Sequence, residues 1–135
     1  MIRSQIHRVV DANYNRAKEG LRVCEDVCRF VGDDPKATAC FKKVRHDLTL
    51  AVAIFGLKDI VASRNIARDV GRKTIAAESR RSNIGDIFYA NAQRVKESLR
   101  VLEEFAKLKD AGAAADLKKL RYTVYDIEKN ALKRM

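Results

Sequence analysis

Largely apolar positions recur every three or four residues along four long segments of the chain, and we call each such series a seam. In the first segment, Ile6, Val10, Asn13 and Ala17 begin a series whose steps alternate between four and three. This spacing places one largely apolar seam along an α-helix. The same pattern in the other segments predicts helices near 2–31, 35–55, 83–109 and 113–133.

The second of these helices has a clear start signal. Gly32 and Asp33 break the pattern, and Asp34 and Pro35 follow. Aspartate favours the cap position of a helix, and proline favours the first helical residue. We therefore expect α-helix from Pro35 onwards, after a short turn.

The chain contains an internal repeat. Residues 12–26 and 90–104 are identical at nine of fifteen positions, at an offset of 78. The helix that follows repeats more weakly, with Arg45 corresponding to Arg121. Each half, 2–55 and 83–133, is therefore a long helix, a tight turn and a second helix. Two such hairpins predict one all-α domain over 1–135, an antiparallel four-helix bundle with pseudo-twofold symmetry.

The segment 57–82, here called the connection, lies outside the repeat. It has 26 residues, whereas helix connections in bundles usually have about 2–8. Its start is compatible with a short helix, and it carries seven Lys/Arg against three Asp/Glu. A long and basic connection is either a functional loop or a loosely ordered one.

Composition narrows the class of protein. The chain has one proline and six glycines in 135 residues, too few turn residues for a sandwich or barrel. No apolar run is long enough to span a membrane, and the first residues lack a secretory signal, so we expect a cytoplasmic protein. The odd number of cysteines also favours a reducing compartment, with Cys24 and Cys28 as small buried hydrophobes.

The formal net charge of +10 indicates an anionic partner. Nucleic acid, a membrane surface and a polyanionic small ligand are the candidates. Glutamate and arginine alternate along the helices, and this mixture of signs argues against a nucleic-acid surface. Composition alone does not choose among the three candidates.

Asn13 and Asn91 occupy equivalent seam positions in the two halves. A buried amide must find hydrogen-bond partners. One interpretation is a polar pair that fixes the register of the helices. The alternative is a ligand site in the bundle, where binding sites are common.

Four arginines occupy symmetric positions at the edges of the seams. Arg16 and Arg94 follow the asparagines by one turn, and Arg45 and Arg121 lie on the partner helices. They are candidates for bidentate phosphate contacts. The alternative is a set of ion pairs within the bundle, to Glu19, Glu25, Glu97 and Glu103.

Further candidates come from the connection and the second helix. Gly71 lies in a basic stretch whose backbone N–H groups are suited to phosphate. His46 follows Arg45 at the seam edge, and a structural role is the alternative for this histidine. No Walker-type loop or catalytic triad is present.

The motifs now resemble a known family. The run from Asp11 to Phe30, the run from Ala90 to Phe105, and the segment Asp69-Val70-Gly71 are similar to the small, single-activity hydroxymethylpyrimidine phosphate kinases of thiamine biosynthesis. Domains of that family also occur at the N-terminus of some thiamine-phosphate synthases. The resemblance covers nearly the whole chain.

The resemblance implies an activity and a set of roles. ATP would phosphorylate 4-amino-5-hydroxymethyl-2-methylpyrimidine phosphate to its diphosphate, with Mg²⁺ as cofactor. Arg64, Arg81 and Asp69 are then the expected catalytic residues, and Asp69 and Glu78 the expected Mg²⁺ ligands. The expected substrate-binding residues are Asn13, Arg16, Arg45, His46, Gly71, Asn91 and Arg94.

Two other functions remain open from the sequence. The first is a non-catalytic helical module that binds pyrimidine or thiamine phosphate and assists a thiamine-phosphate synthase. The second is a basic bundle that binds nucleic acid. A homodimer is compatible with the outward-facing charges that recur in both halves.

Overall fold

The computed structural model describes residues 2–135, apart from the side chains of Ala77 and Glu78. Within this part of the chain the structure is helical and has no strand, which confirms the predicted all-α class. The α-helices are α1 (Ile2–Asp26), α2 (Pro35–Val52), α3 (Leu57–Ala62), α4 (Ile84–Ala106) and α5 (Ala111–Leu132).

The helix ends follow the capping chemistry of the sequence. Asp34 accepts a hydrogen bond from the Ala37 backbone N–H, so α2 begins at Pro35 as predicted. Asp110 caps α5 in the same way, through the N–H of Gly112, so α5 begins at Ala111, two residues earlier than predicted. After α1 the chain continues as a π-helical turn, Val27–Val31.

The four long helices pack through their apolar seams. α1 contacts both α2 and α4, and α5 contacts the same two helices. α1 and α4 approach closely at Gly20, where an added Cβ would lie 2.7 Å from Cγ2 of Val95 and 3.0 Å from the backbone oxygen of Asn91. A side chain at position 20 would force these helices apart. Phe41 of α2 and Phe88 of α4 meet edge to face in the core.

Ion pairs join the two helices of each half. Arg45 contacts Glu25 at 3.0 Å, and Arg121 contacts Glu103 at 3.0 Å. These four residues are equivalent in the repeat. Both glutamates are buried, so each arginine supplies the charge that a buried carboxylate requires.

The connection begins with α3, as its sequence allows. α3 packs on α1, with Ile60 buried. Two short 3₁₀ turns follow, Ile66–Arg68 and Ala76–Ser79. Among the described residues, no helix combines the length and the apolar character that crossing a membrane requires.

Candidate functional site

A groove of about 710 Å³ lies where the connection packs beside α1. We call it the α1 groove. Four predicted site residues line it: Asn13, Arg16, Arg64 and Asp69. Its other lining residues are Gln5, Arg8, Val9, Asp11, Ala12, Asn65, Ile66 and Val101. It therefore combines side chains from the first helix, the connection and α4.

An ion pair between Arg64 and Asp11 anchors one wall of the groove. Arg64 donates from Nε to Asp11 Oδ2 at 2.7 Å and from Nη2 to Oδ1 at 2.8 Å. Asp11 is buried, whereas the Arg64 side chain is 43% exposed. The carboxylate raises the pKa of the guanidinium further by accepting these hydrogen bonds. Nη1 of Arg64 makes no hydrogen bond within the described residues.

Asn13 and Arg16 of α1 also line the groove. The Asn13 amide is buried and donates from Nδ2 to the Val9 backbone oxygen at 2.9 Å. The exposed Arg16 reaches Asn13 Oδ1 only at 3.5 Å, a long contact for a hydrogen bond. The Arg16 guanidinium therefore keeps most of its donors for an anion.

Asp69 and Gly71 form a small turn at the edge of the groove. The Gly71 backbone N–H donates to Asp69 Oδ1 at 3.0 Å. This N–H is thus already used within the chain, although the sequence offered it as a phosphate contact. Both residues are exposed.

Of the two predicted Mg²⁺ ligands, the structure describes the side chain of Asp69 only. The Asp69 carboxylate keeps Oδ2 free of hydrogen bonds within the described residues. Glu78 lies outside the described side chains, so its predicted role is not addressed. The described residues contain no cluster of three or more His, Cys, Asp or Glu. Mg²⁺ usually takes one or two carboxylates and completes its shell with substrate phosphates and water, and Asp69 fits that mode.

Two predicted substrate-binding residues lie away from the groove. Arg45 pairs with Glu25, which is the alternative that the sequence had left open. His46 is exposed on α2 and does not line the groove. Arg81, an expected catalytic residue, is exposed before α4 and donates from Nη1 to the Arg80 backbone oxygen.

Asn91 and Arg94 belong to the second half of the repeat. Asn91 donates from Nδ2 to the Ile87 backbone oxygen at 2.8 Å, as Asn13 does to Val9. Arg94 is exposed on α4. The two asparagines thus make the same backbone hydrogen bond in the two halves.

A second groove lies along α5 and has a volume of about 800 Å³. Tyr122, Tyr125 and several lysines line it, with Cys40 of α2 at its edge. It is wide and shallow, and it contains none of the predicted site residues. We therefore place the candidate site in the α1 groove.

The cysteines are structural, as predicted. Cys24 and Cys28 are buried, and the three thiols are free. Burial, and the neighbouring Cys28, raise the pKa of the Cys24 thiol. Burial, and then the charge of Asp34, raise the pKa of Cys28 to about 11. Neither thiol is therefore poised as a nucleophile near neutral pH.

Asp11 is the groove residue that the seam pattern missed. The repeat contained a signal, because the position equivalent to Asp11 in the second half is Tyr89. A carboxylate on the buried side of only one half requires a partner outside the repeat. The basic connection supplies that partner as Arg64.

The fold and the groove together define an all-α protein with a groove that arginines line. Comparison with known proteins gives the family. The chain belongs to the ThiD2 family, which it matches over residues 8–130.

Its curated relatives are named thiamine-phosphate synthase. The chain is 41% identical over 128 residues to that of Synechocystis sp., with 94% of this chain and 36% of the relative covered. It is 36% identical over 132 residues to that of Nostoc punctiforme, with 97% of this chain and 36% of the relative covered. For Rhodopirellula baltica the identity is 37% over 119 residues, with 87% and 32% covered.

The chain thus spans about a third of the length of the curated relatives that it matches. These relationships place it among proteins of thiamine biosynthesis. No solved structure matches it.

Proposed function

We propose that the chain is a kinase that transfers the γ-phosphoryl group of ATP to 4-amino-5-hydroxymethyl-2-methylpyrimidine phosphate. Membership of the ThiD2 family supports a role in thiamine biosynthesis. The observation that carries the kinase proposal is the α1 groove, where Arg16 and Arg64 face one space beside Asn13 and Asp69.

The groove suits the pyrimidine phosphate in size and chemistry. Val9, Ile66 and Val101 offer apolar contacts to the ring. Asn13 offers an amide to the aminopyrimidine edge, with one donor already committed to Val9. Arg16 and the free Nη1 of Arg64 hold the phosphate.

The reaction needs little from acid–base groups. The nucleophile is an oxygen of a phosphate monoester, which is already ionised near neutral pH. It forms a bond to the γ-phosphorus of ATP as the bond from that phosphorus to the bridging oxygen breaks, and ADP leaves. The task of the protein is to align two anions and to offset their charge. The arginines that line the groove perform it.

Asp69 would hold Mg²⁺ together with substrate phosphates, through the carboxylate oxygen that the turn to Gly71 leaves free. The ion supplies charge neutralisation at the phosphates when it is bound. We propose that Arg81, which also lies in the connection, makes a further contact to phosphate.

We also propose a more detailed description of the architecture. The four long helices form the antiparallel four-helix bundle of two hairpins that the repeat predicts. The hydrogen bonds support it: Tyr14 and Lys18 of α1 both contact Thr49 of α2, and Lys96 of α4 contacts Glu128 of α5. A homodimer remains a prediction.

The test compares steady-state kinetics of matched arginine variants. Arg16→Ala removes a groove arginine, and we expect a rise of about tenfold or more in KM for the pyrimidine phosphate. Arg22→Ala removes an exposed arginine whose contact to Glu25 measures 3.7 Å, and it lies outside the groove. Equal kinetics of the two variants would place the substrate elsewhere.

The lengths of the relatives favour a second candidate function. Because the curated relatives are about three times as long and are named as synthases, the chain is alternatively a module that binds a pyrimidine or thiamine phosphate for a synthase. This module would bind the phosphate without consuming ATP. ADP release that depends on the pyrimidine phosphate distinguishes the kinase from it.

A further inference from the structure

α1 and α4 share an exposed face that the repeat has kept nearly unchanged. On α1 the stripe at Ala12, Arg16, Glu19 and Val23 is identical to the stripe of α4. The α4 stripe consists of Ala90, Arg94, Glu97 and Val101. These side chains are exposed or half-buried, so the packing of the core does not explain their identity. A face retained in both halves indicates that each half performs a similar binding task.

The two stripes lie side by side. Ala12 and Arg16 of the α1 stripe and Val101 of the α4 stripe line the same α1 groove, so the two stripes meet at this groove. Gly20 lies against Asn91 and Val95, so Arg16 and Arg94 project from neighbouring levels of the two helices. Their separation along the helix axes is about 5 Å, and packed helices lie about 8–10 Å apart. Two arginine side chains at that spacing are long enough to contact a common phosphoryl group.

The two halves differ where the connection packs. Position 11 is Asp11, which holds Arg64 and so closes the wall of the first half. The equivalent position in the second half is Tyr89, which is 55% exposed. Tyr89 and Asn91 flank the α4 stripe as Asp11 and Asn13 flank the α1 stripe. The second half therefore offers a free aromatic face where the first half has a wall of protein.

Arg94 is the unengaged counterpart of Arg16. It makes no hydrogen bond and no ion pair within the described part of the chain. The amide of Asn91 keeps its oxygen and one N–H after its bond to Ile87. An aminopyrimidine edge and a phosphate are the groups that this pair fits. Adenine contains an aminopyrimidine ring, so the two substrates of the proposed kinase share this chemistry.

We propose that the second half is the ATP subsite, an inference that rests on the proposed function. The adenine stacks on the exposed Tyr89, and Arg94 holds the triphosphate. The pyrimidine phosphate occupies the α1 groove. Its phosphate oxygen bonds to the γ-phosphorus between Arg16 and Arg94, the bond to the bridging oxygen breaks, and ADP leaves from the second half.

The test measures nucleotide binding apart from turnover. Isothermal titration with the magnesium complex of a non-hydrolysable ATP analogue gives Kd, and the kinase assay gives KM for the pyrimidine phosphate. Tyr122→Ala removes a tyrosine of matching exposure on α5, and Arg100→Ala removes an α4 arginine held by Glu104. Circular dichroism verifies that each variant is folded.

We expect Tyr89→Ala to raise Kd for the analogue by about tenfold and Arg94→Ala by about tenfold or more. Tyr89→Ala leaves KM for the pyrimidine phosphate unchanged, and both controls bind the analogue as the parent chain does. Unchanged nucleotide affinity in Tyr89→Ala and Arg94→Ala, with an active parent chain, overturns this inference and leaves the proposed function standing. A parent chain that neither binds the analogue nor forms product overturns the proposed function itself.

Discussion

Arg64 and Asp11 form a bidentate ion pair between the connection and the first helix, 53 positions apart in sequence, with hydrogen bonds of 2.7 and 2.8 Å. The pair fixes the orientation of the Arg64 guanidinium at the groove. It leaves one guanidinium nitrogen for a ligand. In the proposed function, Asp11 is thus a positioning residue, and Arg64 is the group that contacts the phosphate.

Replacing Asp11 with Asn tests this positioning role. The change keeps the size of the side chain and removes its charge, so Arg64 loses its orientation. We expect kcat/KM for the pyrimidine phosphate to fall by about 100-fold, as misplaced catalytic groups do. Trypsin should also cleave the connection faster.

Asp47→Asn is the matched control for Asp11→Asn. Asp47 pairs with Lys43 on the exposed side of α2, where ion pairs contribute little. The kcat/KM of Asp47→Asn for the pyrimidine phosphate and the rate at which trypsin cleaves its connection should equal those of the parent chain. If Asp11→Asn behaves in the same way, Arg64 does not depend on Asp11.

Gly20→Ala tests the close contact between α1 and α4. The new methyl group would collide with Val95 and with the backbone of Asn91. We expect the free energy of unfolding to fall by about 1–3 kcal/mol, measured by urea denaturation. Gly112→Ala is the control, because its new Cβ would meet only the side chain of Asp110. A stable Gly20→Ala variant would show that the helices adjust their separation freely.

The buried ion pair between Lys96 and Glu128 provides a test of what stabilises the core. Its atoms lie 2.7 Å apart, and the second oxygen of Glu128 has no hydrogen-bond partner. Lys96→Met leaves a buried carboxylate unpaired and should cost about 3–5 kcal/mol of unfolding free energy. The double variant Lys96→Met/Glu128→Leu should regain most of it. A double variant as unstable as the single one would show that the pair itself stabilises the fold.

The thiols should react in an order set by burial. Cys40 is half-buried, whereas Cys24 and Cys28 are buried and their raised pKa values keep them protonated. Alkylation of the folded protein should modify Cys40 first, as mass spectrometry of peptides would show. Rapid modification of Cys28 would contradict its burial.

The same thiols give a pH dependence of stability. Thiols of the unfolded chain ionise near their ordinary pKa of 9.0, and Cys28 of the folded chain ionises only at about 11. The unfolded state therefore binds fewer protons above about pH 9, and stability falls as the pH rises through that range. Urea denaturation at about pH 8 and about pH 10 measures this loss. Cys28→Ala should make it smaller.

The helices were predictable from sequence because their stabilisation is local and periodic. The repeat and the apolar spacing gave the four long helices to within a few residues, and Asp34 with Pro35 marked the start of α2. The sequence left open whether Arg45 and Arg121 form ion pairs or contact phosphate. In the structure they pair with Glu25 and Glu103. Charge spacing alone does not decide whether an arginine meets a glutamate or a ligand.

The groove was only partly predictable. Asn13 and Arg16 came from the repeat, and Arg64 and Asp69 came from the family resemblance. Their meeting in one space depends on Arg64 reaching Asp11, a contact between distant parts of the chain that no periodicity encodes. The exposed Tyr89 was likewise invisible to a seam pattern, because that pattern reports buried positions.

The most direct measurement is ³¹P nuclear magnetic resonance of the purified chain with Mg-ATP and the hydroxymethylpyrimidine phosphate. We predict that the monoester signal is replaced by the paired signals of a diphosphate ester, with ADP formed in equal amount. Both changes should require ATP and the folded chain. A monoester signal that persists at saturating ATP, with the protein folded by circular dichroism, would contradict the kinase function.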